Sequence, residues 1–258
     1  MKSRILAVAC MCSMLAATAG FAQPAMEATV YFVGDPWTPW VYGSEGSVPE
    51  KGIAVEIITE IFRRLDGYQP ALRLFPWNRC LDMVREGDAD ALILCAYNAE
   101  RAGYAAYTDE IVRNKAVFLF RKGELPRWAT LGDLKKYRMG ILADNDYGTI
   151  FDRAEREYGY SVNDSARSID QALVMLKDKR IDIILTTETV VAEAYKSNPR
   201  NKEYFEATGS PFSDGDIYYI AFSRKSGKVD LIPRINTIIA QIKAEGVIDT
   251  IRGRYLGK

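Results

Sequence analysis

Hydrophobic positions along this chain change period repeatedly, and the changes mark alternating strands and helices. Residues 28–33 predict a first strand, and residues 52–65 a helix whose Ile53, Ile57, Ile58, Ile61, Phe62 and Leu65 share one face. Residues 71–75 predict a second strand. Pro76 then suits a first helical turn because its ring fixes φ, and Leu81, Val84 and the aliphatic part of Arg85 hold helical spacing until Gly87. After Asp90 comes the continuous apolar run 91–95. Such a run suits a strand buried on both faces, as in a parallel sheet covered by helices. Its carboxyl end delivers Tyr97, Asn98 and Arg101, and open α/β sheets hold small molecules outside those ends. The pattern predicts a doubly wound α/β lobe with right-handed crossovers.

Residues 116–120 form another apolar strand, and a second β-α series follows. It comprises a strand at 139–142, a helix through Phe151 and Ala154, a helix at 170–177, a strand at 181–185 and a helix through Val190 and Ala194. Residues 208–215, with Gly, Pro and Ser, read as a linker. A first crossing between lobes is expected near residues 112–115. The chain therefore divides into a leader (1–22), lobe 1 (23–112), lobe 2 (113–213) and a closing segment (214–258). Two lobes of roughly 100 residues fit ordinary domain sizes.

The leader changes the charge and the compartment. Lys2 and Arg4, an apolar stretch from Ile5 to Ala17, and Gly20-Phe21-Ala22 predict a secretory signal cleaved after Ala22. Removing Lys2 and Arg4 from the 34 basic residues leaves 32 against 34 acidic ones, a balance with no nucleic-acid footprint. No later stretch is apolar enough to span a bilayer. The exported chain is expected in the periplasm, as a monomer by default. Cys80 and Cys95 remain after cleavage. A bridge between them would close a loop of about 15 residues and contribute ~3 kcal/mol; two buried thiols are the other arrangement. The chain contains no histidine, which removes the commonest general base, the Ser-His-Asp triad and imidazole metal ligands. No phosphate loop or metal-spaced cluster is present, so no cofactor is expected.

Asp35-Pro36-Trp37, then Gly52-Ile53, then the block from Pro76 to Arg101, with Gly140, residues 180–182 and the closing EGVIDTIRGRYL, resemble the bacterial extracellular solute-binding proteins of family 3. The resemblance implies a type II periplasmic binding fold with a ligand cleft between two lobes, the closing segment rejoining lobe 1. It implies a substrate-binding component of an ABC importer that closes by hinge motion on a small carboxylated solute, an amino acid or derivative, and docks on a permease. Arg101 stands where the family clamps an α-carboxylate; a surface pair with Glu100 is the alternative. Trp37 or Trp40 would form an apolar wall, joined by Tyr42 and Trp77, with Arg79 as a second cation or a solvated one. In lobe 2, Asn145 is a ligand contact or a simple cap. Where relatives present an acid to the ligand ammonium this chain has Thr187, with Glu188 one step later. Either Glu188 takes that role or the ligand lacks an ordinary amino group. Two rival functions are a cyclohexadienyl dehydratase-like enzyme using Glu188 as general acid and a ligand-reporting module for a membrane sensor.

Overall fold

The computed structural model describes residues 28–143, 147, 149–213 and 215–257. The expected signal segment through Ala22 and the candidate Asn145 lie outside them. The chain opens with β1 (Ala28–Gly34), α1 (Ile53–Arg63), β2 (Tyr68–Leu74), α2 (Trp77–Glu86), β3 (Ala91–Ala96), α3 (Ala99–Ala102), β4 (Ala105–Tyr107) and β5 (Val112–Asn114). It continues with β6 (Ala116–Arg121), β7 (Arg138–Leu142), α4 (Thr149–Tyr158), β8 (Ser161–Ala166), α5 (Ile169–Lys177), β9 (Ile183–Thr187), α6 (Glu188–Ser197), α7 (Asn201–Tyr204) and β10 (Phe205–Gly209). β11 (Asp216–Ser223), α8 (Ile232–Ala244) and α9 (Val247–Leu256) complete it.

Two sheets result, one for each lobe. The first has the order β2-β1-β3-β11-β4, with β5 also on β11; the second has the order β10-β6-β9-β7-β8. β1 is parallel to β2 and β3, and β7 is parallel to β8 and β9, as β-α-β crossovers require. The strands that flank the two crossings run antiparallel to their neighbours: β6 against β9 and β10, β11 against β3, β4 and β5. The chain leaves the first sheet after Asn114, enters the second at Ala116, and returns between Gly209 and Asp216. At the return Gly215 has φ 109°, and a Cβ there would lie 2.2 Å from the Asn114 carbonyl oxygen, so the two crossings touch where only glycine fits.

Local chemistry explains the elements that build the cleft. Pro76 caps α2, and Gly87 closes it in the left-handed region at φ 88°, its N–H donating to the Met83 carbonyl. Gly52 precedes α1 at φ 144°, with space for no side chain because a Cβ would sit 2.2 Å from the Trp40 carbonyl oxygen. That approach lets Ile53 and Ala54 donate to the Pro39 and Trp40 carbonyls at 3.1 and 3.0 Å. The loop carrying Trp37 is thereby tied to the helix N-terminus.

Three departures from the sequence pattern share one cause. β2 begins at Tyr68 and contains Pro70, tolerated because β2 is an edge strand. β8 is too polar to betray a strand, and β10 occupies part of the expected linker. All three lie at sheet edges, where one side of the backbone is unpaired and burial no longer dictates alternation. β9 starts two residues late because Asp182 accepts from Arg138 Nη2 and Nε at 2.8 and 2.9 Å and from Arg121 Nη2 at 3.1 Å. The Arg138 hydrogen bonds hold its carboxyl well below the usual carboxylate range. A depressed folded pKa stabilises the native state above the unfolded value, about 3.9, and that contribution is lost as pH falls further. Asp182→Asn should therefore lower stability at neutral pH and flatten its decline below about pH 4. Denaturant melts of both proteins across that range measure the difference.

Candidate functional site

At the end of β3 the chain turns into α3, and Asn98 caps that turn by accepting the Arg101 N–H at 2.8 Å. The cap aims Arg101 back over the strand. Its Nη1 donates to the Ala96 carbonyl at 2.9 Å and lies 3.5 Å from the Tyr107 hydroxyl, while the guanidinium sits 5.3 Å from the Trp77 ring centre. Arg101 Nε is sealed from solvent without a partner among the described residues. Beside it lies the Cys95 thiol, which burial pushes up to about 11 against the pull of Arg101. Cys80 is likewise raised to about 11, chiefly by burial. The two are free thiols in one apolar cluster, the unbridged arrangement of the two expected.

A cavity of about 420 Å³ opens over these groups, lined by Asp35, Trp37, Trp77, Tyr97, Asn98 and Arg101. Burial, with Glu45 adding to it, raises the Asp35 carboxyl above its ordinary value. A second cavity of about 480 Å³ shares Trp37 and Tyr218 with the first and reaches lobe 2 at Thr187 and Thr189. Together they form a cleft with a cation at its lobe 1 end, an aromatic waist of Trp37 against Tyr218 at 5.1 Å, and hydroxyls at its lobe 2 end. A larger cavity, about 890 Å³, borders this cleft at Ala116 and Ser213 and is lined by Arg113, Lys115, Glu188 and Tyr195. It has neither the aromatic waist nor Arg101.

Three expected cleft residues, Trp40, Glu188 and Tyr42, are placed differently. Trp40 is 0 % exposed, packed 5.7 Å from Trp37 and 5.5 Å from Tyr218, so it backs the wall instead of forming it. Docking of its loop on α1 drives the indole into the core. Glu188 opens α6 and parts from Thr187: Thr187 lines the aromatic cleft, Glu188 the larger cavity. Its carboxylate is ion-paired with Arg252 of α9 and accepts the Lys115 N–H at 3.3 Å. Tyr42 also leaves the wall; its hydroxyl donates to Glu193 at 2.8 Å and accepts from Lys196 at 2.9 Å. Arg79 stacks on Phe75 at 4.5 Å. Arg101, Trp37, Trp77, Tyr97, Asn98 and Thr187 all line the joined cavities. Asn114, Thr189, Asp216 and Tyr218 also line the second cavity, unmarked in the sequence because the crossings between the sheets and the first turn of α6 carry no periodic signal that marks a cleft.

The sequence matches bacterial extracellular solute-binding proteins, family 3, over residues 30–258. The chain belongs to this family. Among curated relatives, the L-cystine-binding protein TcyA of Bacillus subtilis is 21 % identical over 225 residues, covering 86 % of this chain and 78 % of TcyA. The L-cystine solute receptor of Neisseria gonorrhoeae, in its unliganded open conformation, superposes with a TM-score of 0.73 at 17 % identity, covering 91 % of this chain and 94 % of the receptor. Substrate-binding domain 2 of Lactococcus lactis GlnP gives 0.71 at 20 % identity, covering 93 % and 99 %. The two-lobed fold of this solute-binding protein is thus that of its family.

Proposed function

We propose that this solute-binding protein captures a small carboxylated solute, an amino acid or derivative, in the periplasm and delivers it to an ABC importer. The supporting observation is the cleft itself, where an arginine held by Ala96 and Trp77 faces an aromatic waist and a row of lobe 2 hydroxyls. A planar guanidinium grips a carboxylate through paired hydrogen bonds. Trp37 and Tyr218 then receive the apolar part of the solute. Closure of the lobes on that solute would give a permease a shape to recognise, since a ligand that bridges both lobes favours the closed state. Among the described residues no helix is long and apolar enough to cross a membrane. A dehydratase would need Glu188 as general acid, and that carboxylate is ion-paired with Arg252 in the neighbouring cavity.

A thermal-shift screen of the protein after Ala22 tests the reading. Probes are the L-α-amino acids, with L-cystine included because two relatives are named for it, and the matching des-amino carboxylates. A binder at a hundredfold excess over Kd stabilises the native state by ~2.7 kcal/mol. One or a few carboxylates should raise the melting temperature. A flat response across the panel, or turnover of prephenate to an aromatic product, would overturn the proposal.

A further inference from the structure

The cavity of about 890 Å³ at the hinge has a lining of its own. Both crossings between the sheets wall it, joined by α6 of lobe 2 and by Leu256 of α9, on the lobe 1 side. Val117, Val191, Ala192 and Leu256 make it largely apolar. Tyr195 adds a ring whose hydroxyl is already engaged, donating to the Phe205 carbonyl at 3.0 Å. An apolar lining with a few placed polar groups, in a space of about 300 to 1,000 Å³, is the usual make-up of a small-molecule site.

The polar groups around that lining favour an anion. Three charged residues line the cavity: Arg113, Lys115 and Glu188. Arg113 is ion-paired with Glu110 at 3.0 Å and Glu188 with Arg252, so those charges are matched. Lys115 has no carboxylate within ion-pairing distance among the described residues and remains as the unmatched charge. Two hydroxyls add donors. Ser210 Oγ accepts the Phe212 N–H at 3.2 Å and Ser213 Oγ the Gly215 N–H at 2.9 Å, which leaves each its own proton to give. A cation would meet Lys115 and these donors, and a bare inorganic anion would leave the apolar lining unused.

We propose that the hinge cavity is a second binding site, separate from the aromatic cleft, and that it takes an organic monoanion with an aliphatic body. Lys115 and the two seryl hydroxyls meet the anionic group, while Val117, Val191 and Leu256 cover the chain. The cavity touches the cleft only at Ala116 and Ser213 and contains neither Trp37 nor Arg101, so its occupancy does not depend on which solute the cleft takes. Its walls come from both lobes, and an occupant therefore favours the lobe arrangement in which the cavity has this shape.

The test uses isothermal titration of the protein after Ala22 with octanoate, octylammonium and acetate, both in wild type and in Arg101→Ala, where the cleft's own grip on carboxylates is removed. Octanoate should bind in both. Octylammonium has the wrong charge and acetate lacks the chain, so both should bind far more weakly. Added to either background, Lys115→Ala should weaken octanoate about tenfold, the size of one charge-assisted hydrogen bond, and Lys115→Arg should retain it. Thr208→Trp places a bulky ring in the cavity from edge strand β10, where an aromatic suits a strand, and should block binding. Lys115 is exposed, so its variants keep the test decisive if Thr208→Trp fails to fold. No binding of octanoate, equal binding of octylammonium, or an affinity unchanged by Lys115→Ala overturns the hinge site. Octanoate binding that is lost in Arg101→Ala and kept in Lys115→Ala also overturns it, by placing the anion in the cleft, and leaves the proposed carboxylate-binding function standing.

Discussion

Arg101→Ala is expected to weaken binding of the carboxylated solute by about a hundredfold or more, the largest effect of any single change in the cleft. Each charge-assisted hydrogen bond contributes about 1.5 to 3 kcal/mol, and a guanidinium fork makes two to a carboxylate. The geometry favours that grip because Asn98, the Ala96 carbonyl and the Trp77 face already fix the side chain, so little rotamer freedom remains to lose on binding. Arg101→Lys should recover little, since an ammonium lacks the planar fork. Titration calorimetry with the best ligand of the screen measures both variants, and thermal melts check that each is folded. A dissociation constant within threefold of wild type in Arg101→Ala would remove Arg101 from the site.

Arg252→Ala should lower stability by about 3 kcal/mol, because it strands a nearly buried carboxylate without its cation. The Arg252 and Glu188 side chains are 14 % and 9 % exposed, and they join α9 to the first residue of α6. For a chain of this size the melting temperature should fall by about 6 to 12 °C. The paired replacement Glu188→Gln with Arg252→Gln should cost less than the sum of its single changes, the mark of direct coupling. Affinity separates this structural assignment from the ligand role expected of Glu188. If Glu188→Gln abolishes binding of amino acids but leaves the melting temperature unchanged, the carboxylate serves the ligand after all. Loss of stability with binding retained supports the cross-lobe pair.

The amino-acid sequence by itself determined the elements. Hydrophobic spacing carries that information because a side chain facing the core must be apolar whatever its distant neighbours are. The apolar face of α1, the stop of α2 at Gly87, and the doubly buried run of β3 were legible for that reason, and with them the delivery of Tyr97, Asn98 and Arg101 to a strand end. The polar edge strands β8 and β10 escaped the same logic, since half their surface faces no core.

Only the tertiary structure decided which way the residues at the lobe junction face. Thr187 and Glu188 are adjacent in sequence, yet one lines the aromatic cleft and the other binds Arg252, 64 positions away. Trp37 and Trp40 share one loop, and docking on α1 leaves the first on the cleft and buries the second. Thr189 of α6 donates to Asn114, a residue of the first crossing 75 positions away. These outcomes are set by contacts between distant segments, and no local period records which face of a strand end a remote helix will cover.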